Sequence, residues 1–127
     1  LVPQPIVTPA AQPTRVGVLF YGSTSPAMHE SAQRLASEGL GLDLMRIRAY
    51  PFPESVRDFV LAHDHVFLVE QNRDAQLRTL LINEYGLNPA HIQPILHYDG
   101  TPITARFISR AIRDHLDRLA DLEGRAA

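Results

Sequence analysis

The sequence predicts an α/β domain with a three-layer α/β/α arrangement around an open, mostly parallel sheet. Two short segments, residues 16–21 and 66–69, are continuously apolar, which is typical of strands covered by helices on both faces. Segments with helical periodicity separate the predicted strands, so the connections are crossovers and not hairpins. The length of 127 residues suits a single domain, because domains cluster near ~100–150 residues.

The predicted elements alternate in the order βαβαβαβα. They are strand 16–21, a helix between Pro26 and Gly39, strand 42–48, helix 54–62, strand 66–69, a helix between Asp74 and Gly86, strand 92–97 and helix 104–122. Ser25 and Asp74 are the predicted N-caps of their helices. The second strand is mixed in polarity and is therefore placed nearer an edge. Pro94 lacks an N–H group, which places the last strand at an edge of the sheet.

Residues 1–14 contain four prolines separated by small and polar residues. Dense prolines remove backbone donors, so we expect a linker or extended arm without regular structure. The predicted folded domain is 15–123, and 124–127 form a tail. A chain that opens on a linker suggests a piece of a longer protein, and a free disordered tail is the alternative interpretation.

Composition excludes several kinds of chemistry. The chain has no Cys, so it offers no disulfide, no thiolate nucleophile and no ordinary ligand for an iron–sulfur cluster. All 12 basic residues are Arg, which excludes lysine chemistry. The net charge of −2 gives no field for nucleic acid or an anionic membrane. No apolar segment approaches the ~18 residues of a membrane span and no secretory signal is visible, so a cytoplasmic location is the default expectation.

Polar loops follow the carboxyl ends of the predicted strands, where open α/β sheets meet ligands and partners. The candidates for such contacts are Gly22, Ser23, Thr24, Glu70, Asn72, Arg73, His97, Tyr98 and Asp99. The guanidinium of Arg73 suits a bidentate bond to a carboxylate. A solvated loop with a helix cap explains residues 70–74 equally well, and turn chemistry alone explains residues 99–102. The sequence indicates no catalytic residue, cofactor-binding residue or metal ligand.

Three enzymatic or cofactor hypotheses have weaker support. Residues 20–24 resemble the start of a flavodoxin phosphate loop, but Pro26 has no N–H for an oxyanion and there is no Trp to stack on FMN. Ser23 lies outside a G-x-S-x-G motif, so helix capping is favoured over a hydrolase nucleophile. His63 and His65 flank Asp64 without an evident further ligand, so a solvated turn is favoured over a metal site.

Two stretches resemble a known family. Residues 66–81 (VFLVEQNRDAQLRTLL) and 92–108 (IQPILHYDGTPITARFI) are similar to the C-terminal domain of the α subunit of 2-oxoacid:ferredoxin oxidoreductases, the 2-oxoglutarate enzymes above all. Residues 20–24 and 49–53 agree with the same family. The resemblance covers about residues 15–115. It departs at Ala75, where the family often has Gly.

The resemblance implies a transketolase C-terminal-like fold with one antiparallel edge strand, from Ile6–Thr8 or from further upstream. It implies oxidative decarboxylation of a 2-oxoacid with coenzyme A, with electrons passed to ferredoxin. Thiamine diphosphate, magnesium and iron–sulfur clusters would belong to other domains and to a β subunit, because this chain lacks the Gly-Asp-Gly…Asn run and Cys. The leading hypothesis is therefore an accessory domain that packs against those partners and is inactive by itself.

Overall fold

The computed structural model describes residues 3–126 and contains one five-stranded sheet. The strands are β1 (Ile6–Thr8), β2 (Val16–Tyr21), β3 (Asp43–Ile47), β4 (His65–Glu70) and β5 (Ile92–Leu96). The helices are α1 (Ser25–Ser37), α2 (Glu54–Leu61), α3 (Gln76–Tyr85) and α4 (Ala105–Ala126). Short 3-10 turns cover Gly22–Thr24 and Pro89–His91. No helix in this described part of the chain is long and apolar enough to cross a lipid bilayer.

The strand order is β1-β3-β2-β4-β5. Strands β3, β2, β4 and β5 are parallel, and β1 pairs antiparallel with β3. The predicted mostly parallel α/β sheet is therefore confirmed. The inner position of β4 and the edge position of β5 also agree with their apolar pattern and with Pro94. The antiparallel edge strand is β1.

Helices cover both faces of the sheet, which explains why β2 and β4 are apolar throughout. On one face of the sheet, Val18, Phe20 and Phe67 form a core with residues of α1 and α4 such as Met28 and Ile108. On the other face, α2 and α3 bury residues such as Val56, Val60 and Leu81 against Leu19 and Leu68. The hydroxyls of Ser31 and Ser109 lie 2.8 Å apart and join α1 to α4.

The expectation that residues 1–14 lack regular structure is wrong for β1. The prolines flank this strand at positions 5 and 9 and do not interrupt its three residues. The amide of Ala10 donates to Oδ1 of Asp43 at 2.8 Å, and the hydroxyl of Thr14 donates to the carbonyl of Gly41 at 2.7 Å. These bonds hold the segment along the sheet edge.

Both predicted N-caps differ from the structure. Ser25 is the first residue of α1, and Thr24 occupies the cap position without a side-chain hydrogen bond. Ala75 occupies the cap position of α3 in the left-handed region, with φ 50° and ψ 45°. A Cβ atom is unfavourable there and Gly is not, which explains why Gly suits this position in the family that the sequence resembles. The side chains that bind the start of α3 belong to Glu70 and Asn72 and not to Asp74.

His63 is buried, so the predicted solvated turn is wrong for this residue. Its Nδ1 lies 2.7 Å from the carbonyl oxygen of Phe59, and its Nε2 lies 2.8 Å from Oδ2 of Asp43. A Cβ atom on Gly17 would lie 2.9 Å from the His63 ring, so the glycine provides the space for that ring. The neighbouring Asp64 is exposed and accepts from Nε of Arg15 at 2.8 Å. The two residues therefore have structural roles in the turn before β4.

Candidate functional site

The carboxyl ends of β2, β3, β4 and β5 lie at the same edge of the sheet, because these strands are parallel. The side chains there divide into two groups. One group is buried and holds the loops in place, and the other is exposed and free to contact a partner.

Glu70 belongs to the buried group, with 4% of its surface exposed. One carboxylate oxygen accepts from the amide of Leu77 at 2.7 Å, and the other accepts from the amide of Arg78 at 3.2 Å. The side-chain amide of Asn72 also donates to Glu70, at 3.1 Å. A carboxylate beside the unpaired backbone N–H groups at the N-terminus of a helix stabilises that helix. Glu70 therefore fixes α3 and is not part of a contact surface.

Asn72 supports the same helix start. Its Oδ1 accepts from the amides of Asp74 at 3.1 Å and Gln76 at 3.3 Å. With one side chain, Asn72 therefore binds both Glu70 and the backbone of the loop between β4 and α3. Arg73 is exposed, as are Gln71 and Asp74 of the same predicted polar stretch.

His97 and Asp99 form a closed turn after β5. Nε2 of His97 lies 2.9 Å from the carbonyl oxygen of Thr101 and 3.2 Å from Oδ1 of Asp99. The hydroxyl of Thr101 donates to Asp99 at 2.6 Å, and its amide does so at 3.0 Å. These bonds hold the pKa of the Asp99 carboxyl below its usual range, and the bond from the Thr101 hydroxyl has the largest effect. The turn leaves Tyr98 pointing outward, with 57% of its surface exposed.

Arg73 and Tyr98 join the loops that follow β4 and β5. The guanidinium carbon of Arg73 lies 5.8 Å from the centroid of the Tyr98 ring, within the range of a cation–π contact. Among the hydrogen bonds and ion pairs of residues 3–126, none involves Arg73. Its charge is therefore held in place by an aromatic ring while its donors face solvent.

Two further tyrosines are exposed along this edge, Tyr21 at the end of β2 and Tyr50 after β3. The hydroxyl of Tyr21 donates to the carbonyl of Arg48 at 3.2 Å, and the Tyr50 ring packs edge-on against Phe52. We call Tyr21, Tyr50, Arg73 and Tyr98 the carboxyl-edge surface. Tyr and Arg are the residue types enriched at the centres of protein interfaces. Tyr21 is the last residue of the first predicted strand and Tyr50 follows the second, so their positions at strand ends were the signal available in the sequence.

The phosphate-loop hypothesis is not favoured by the geometry of the loop after β2. Thr24 is buried, and its hydroxyl accepts from the side-chain amide of Gln71 at 2.9 Å. Gly22 has φ 44° and begins the 3-10 turn. A cleft of about 370 Å³ lies beside this turn and is bordered by Tyr21, Leu77 and Leu80. The side chain of Ser23 lies outside the described residues, so its predicted capping role stays a prediction.

The residues of this chain do not fit the cofactors that the family resemblance implies. No group of three His, Asp or Glu side chains in the described part of the chain is placed to hold a metal ion. The sequence has no Cys to bind a cluster. No step of a redox reaction is therefore assigned to these side chains.

The comparisons with known proteins agree on one kind of relative. No family model matches the chain. The α subunit of a 2-oxoacid:ferredoxin oxidoreductase from Saccharolobus solfataricus is 26% identical over 102 residues, which is 79% of this chain and 16% of the relative. The chain therefore spans about a sixth of the length of that curated relative.

Two solved structures share the fold. The 2-oxoglutarate:ferredoxin oxidoreductase of Magnetococcus marinus, solved with 2-oxoglutarate, coenzyme A and succinyl-CoA bound, matches 88% of this chain and 19% of its own, with a TM-score of 0.77 and 25% identity. The α chain of a probable 2-oxoacid ferredoxin oxidoreductase from Thermoplasma acidophilum matches 90% of this chain and 97% of its own, with a TM-score of 0.60 and 22% identity. The chain is thus similar in sequence and fold to a segment of the Magnetococcus enzyme, and similar in fold to nearly the whole of the Thermoplasma chain.

Proposed function

We propose that this chain is an accessory domain of a 2-oxoacid:ferredoxin oxidoreductase α subunit, and that it mediates packing against neighbouring domains and a β subunit. The observation that carries the proposal is the shared similarity to α subunits, in sequence over 79% of the chain and in fold over 88%. The whole enzyme would convert a 2-oxoacid and coenzyme A to acyl-CoA and carbon dioxide, with ferredoxin as electron acceptor. The Magnetococcus relative was solved with 2-oxoglutarate bound, which favours 2-oxoglutarate as the 2-oxoacid of the proposed enzyme.

The cofactors belong to the rest of the complex in this proposal. Thiamine diphosphate with magnesium would supply the decarboxylation chemistry, and iron–sulfur clusters would carry the electrons. This chain's residues would hold the domain in place through the carboxyl-edge surface, where three tyrosines and one arginine are exposed. The chain is expected to be inactive by itself, and a cytoplasmic location remains part of the proposal.

Arg73→Ala is expected to weaken assembly of the α and β subunits about thirtyfold or more, since interface hot spots of Arg contribute at least ~2 kcal/mol. Arg73 contacts Tyr98 only through an exposed cation–π pair, so its loss changes the stability of the chain by no more than about 1 kcal/mol. Native mass spectrometry of the full-length subunits over a dilution series measures the assembly, and thermal unfolding of the 127-residue chain measures the fold.

Arg110→Ala is the matched control. Arg110 is an exposed arginine on α4, away from the carboxyl ends of the strands, and no ion pair in the described part of the chain involves it. Its replacement is expected to leave assembly unchanged. Equal assembly of the Arg73→Ala variant, the control and the wild type would count against the carboxyl-edge surface as the contact.

A further inference from the structure

Arg46 on β3 has a buried donor without an acceptor. Its Nε atom has no hydrogen-bond partner among residues 3–126, although the side chain as a whole is half-buried. Buried polar groups in proteins are nearly always hydrogen-bonded, so an unpaired one indicates a missing partner. An arginine presents Nε and one Nη side by side, which matches the two oxygens of a carboxylate.

No ion pair among residues 3–126 involves Arg46. Arg46 lies opposite Phe20 on β2, and His29 of α1 packs edge-on against the Phe20 ring with centroids 6.0 Å apart. Asp43 lies three residues earlier, and its carboxylate is occupied by His63 and the amide of Ala10. Glu30 lies 3.6 Å from Arg34, so its charge is already compensated.

An apolar groove adjoins this position. It has a volume of about 410 Å³ and lies between α1, β3 and the segment that follows β1. Leu44, Thr8 and His29 line the groove, and Arg46 follows Leu44 by two residues on the same face of β3. Most other lining residues are Ala or Gly, so large apolar side chains of another molecule can enter. The groove and the unpaired donor together suit an acidic group with an apolar neighbour.

The exposure of β1 indicates a polypeptide occupant. Ile6 lies opposite Arg46, and Val7 points to the other face of the sheet. Their exposed fractions are 46% and 49%, which is high for apolar residues on an edge strand. A small molecule in the groove lies on the face of the sheet that carries Ile6 and leaves Val7 exposed. A polypeptide beside β1 can cover both residues and can also form hydrogen bonds with the open edge of the strand.

We propose that Arg46 binds an Asp or Glu side chain of a neighbouring polypeptide segment, whose adjacent large apolar residue enters the groove between α1 and β3. This inference rests on the proposed function, because the neighbouring segment would belong to another domain of the α subunit or to the β subunit. It adds a second contact surface, separate from the carboxyl-edge surface and located at the β1 side of the sheet.

Arg46→Met tests the proposal through two measurements with different expected signs. Methionine keeps an unbranched apolar stem and removes the unpaired donor, so thermal unfolding of the 127-residue chain occurs at the same or a higher temperature. Assembly of the full-length subunits, measured by native mass spectrometry, weakens about tenfold to a hundredfold because a charged hydrogen bond across the interface is lost. Arg46→Lys keeps the charge without the paired donors, and it restores assembly only partly.

Two further variants make the test specific. Ala36→Trp fills the groove at an exposed position while it leaves Arg46 intact, and it also weakens assembly. Arg34→Met removes an arginine of α1 that does not line the groove, and it leaves assembly unchanged. Unchanged assembly with both Arg46→Met and Ala36→Trp, in subunits whose assembly fails when residues 15–127 are deleted, overturns this inference and leaves the proposed function intact.

A small anion is the alternative occupant. Succinate and inorganic phosphate are the probes, added to the 127-residue chain during thermal unfolding. If either stabilises the wild-type chain and not the Arg46→Met variant, while assembly is unaffected by Arg46→Met, the occupant is a small anion and the polypeptide proposal is wrong.

Discussion

Gly17→Ala is expected to lower the free energy of unfolding by about 3 kcal/mol, as overpacking of a filled core does. The new Cβ atom would lie 2.9 Å from both the His63 ring and the Phe59 ring. Both rings are packed against β2, so neither can move without loss of other contacts. Displacement of His63 also breaks its bonds to Asp43 and to the Phe59 carbonyl. Urea unfolding of the 127-residue chain, with the midpoint as the measured quantity, checks this expectation.

A double-mutant cycle with His63→Ala identifies the cause of the Gly17→Ala effect. Removal of the ring creates room for the Cβ atom, so Gly17→Ala is expected to be less destabilising in the His63→Ala background. Gly124→Ala is the matched control, because no atom lies within 4 Å of its Cβ position on α4. That control stabilises the chain by up to about 1 kcal/mol through helix propensity. An equal effect of Gly17→Ala in both backgrounds contradicts the account of the His63 site.

Glu70→Ala is expected to destabilise the chain by about 3 kcal/mol, the second large effect. The carboxylate accepts from two amides of α3 and from Asn72. Hydrogen bonds to a charged group contribute about 1.5–3 kcal/mol, and alanine leaves three donors without this acceptor. The helix also loses a negative charge at its N-terminus. Thermal unfolding followed by far-UV circular dichroism measures the loss.

Asp74→Ala distinguishes binding of the α3 N-terminus by Glu70 from the Asp74 cap that the sequence predicts. If Asp74 capped α3, its replacement would lower stability by about 1 kcal/mol. No side-chain hydrogen bond caps the helix from position 75, and the side chains that bind its first turn belong to Glu70 and Asn72. Asp74→Ala is therefore expected to leave stability within about 0.5 kcal/mol of the wild type. A loss as large as that of Glu70→Ala would contradict this assignment.

The sequence predicts the sheet and its helices well, because the strongest signals are local. Continuous apolar segments mark β2 and β4, and Pro94 marks β5 as an edge strand. The segment of β1 is different, since three residues between prolines carry almost no local signal. Its pairing with β3 depends on contacts about forty positions away along the chain.

The polar interior could not be predicted from local patterns. Glu70 follows an apolar strand and resembles a loop residue, but the fold brings α3 back over it. His63 resembles a member of a solvated His-Asp-His turn, but the absence of a side chain at Gly17 gives its ring a buried position. The burial of His63 depends on Gly17, which is distant in sequence, and the burial of Glu70 depends on the loop that returns α3 to the end of β4. The structure places the exposed candidates Arg73 and Tyr98 side by side, because both follow neighbouring parallel strands, and their role as contact residues stays a prediction.

Reconstitution tests the central claim most directly. Full-length α subunits with and without residues 15–127 are co-expressed with the β partner, and coenzyme A-dependent dye reduction is measured with 2-oxoglutarate and with pyruvate. We predict that the deletion abolishes assembly or turnover, and that the intact complex prefers 2-oxoglutarate. A stable complex that turns over normally without these residues would contradict the role of this chain as an integral packing domain of the oxidoreductase.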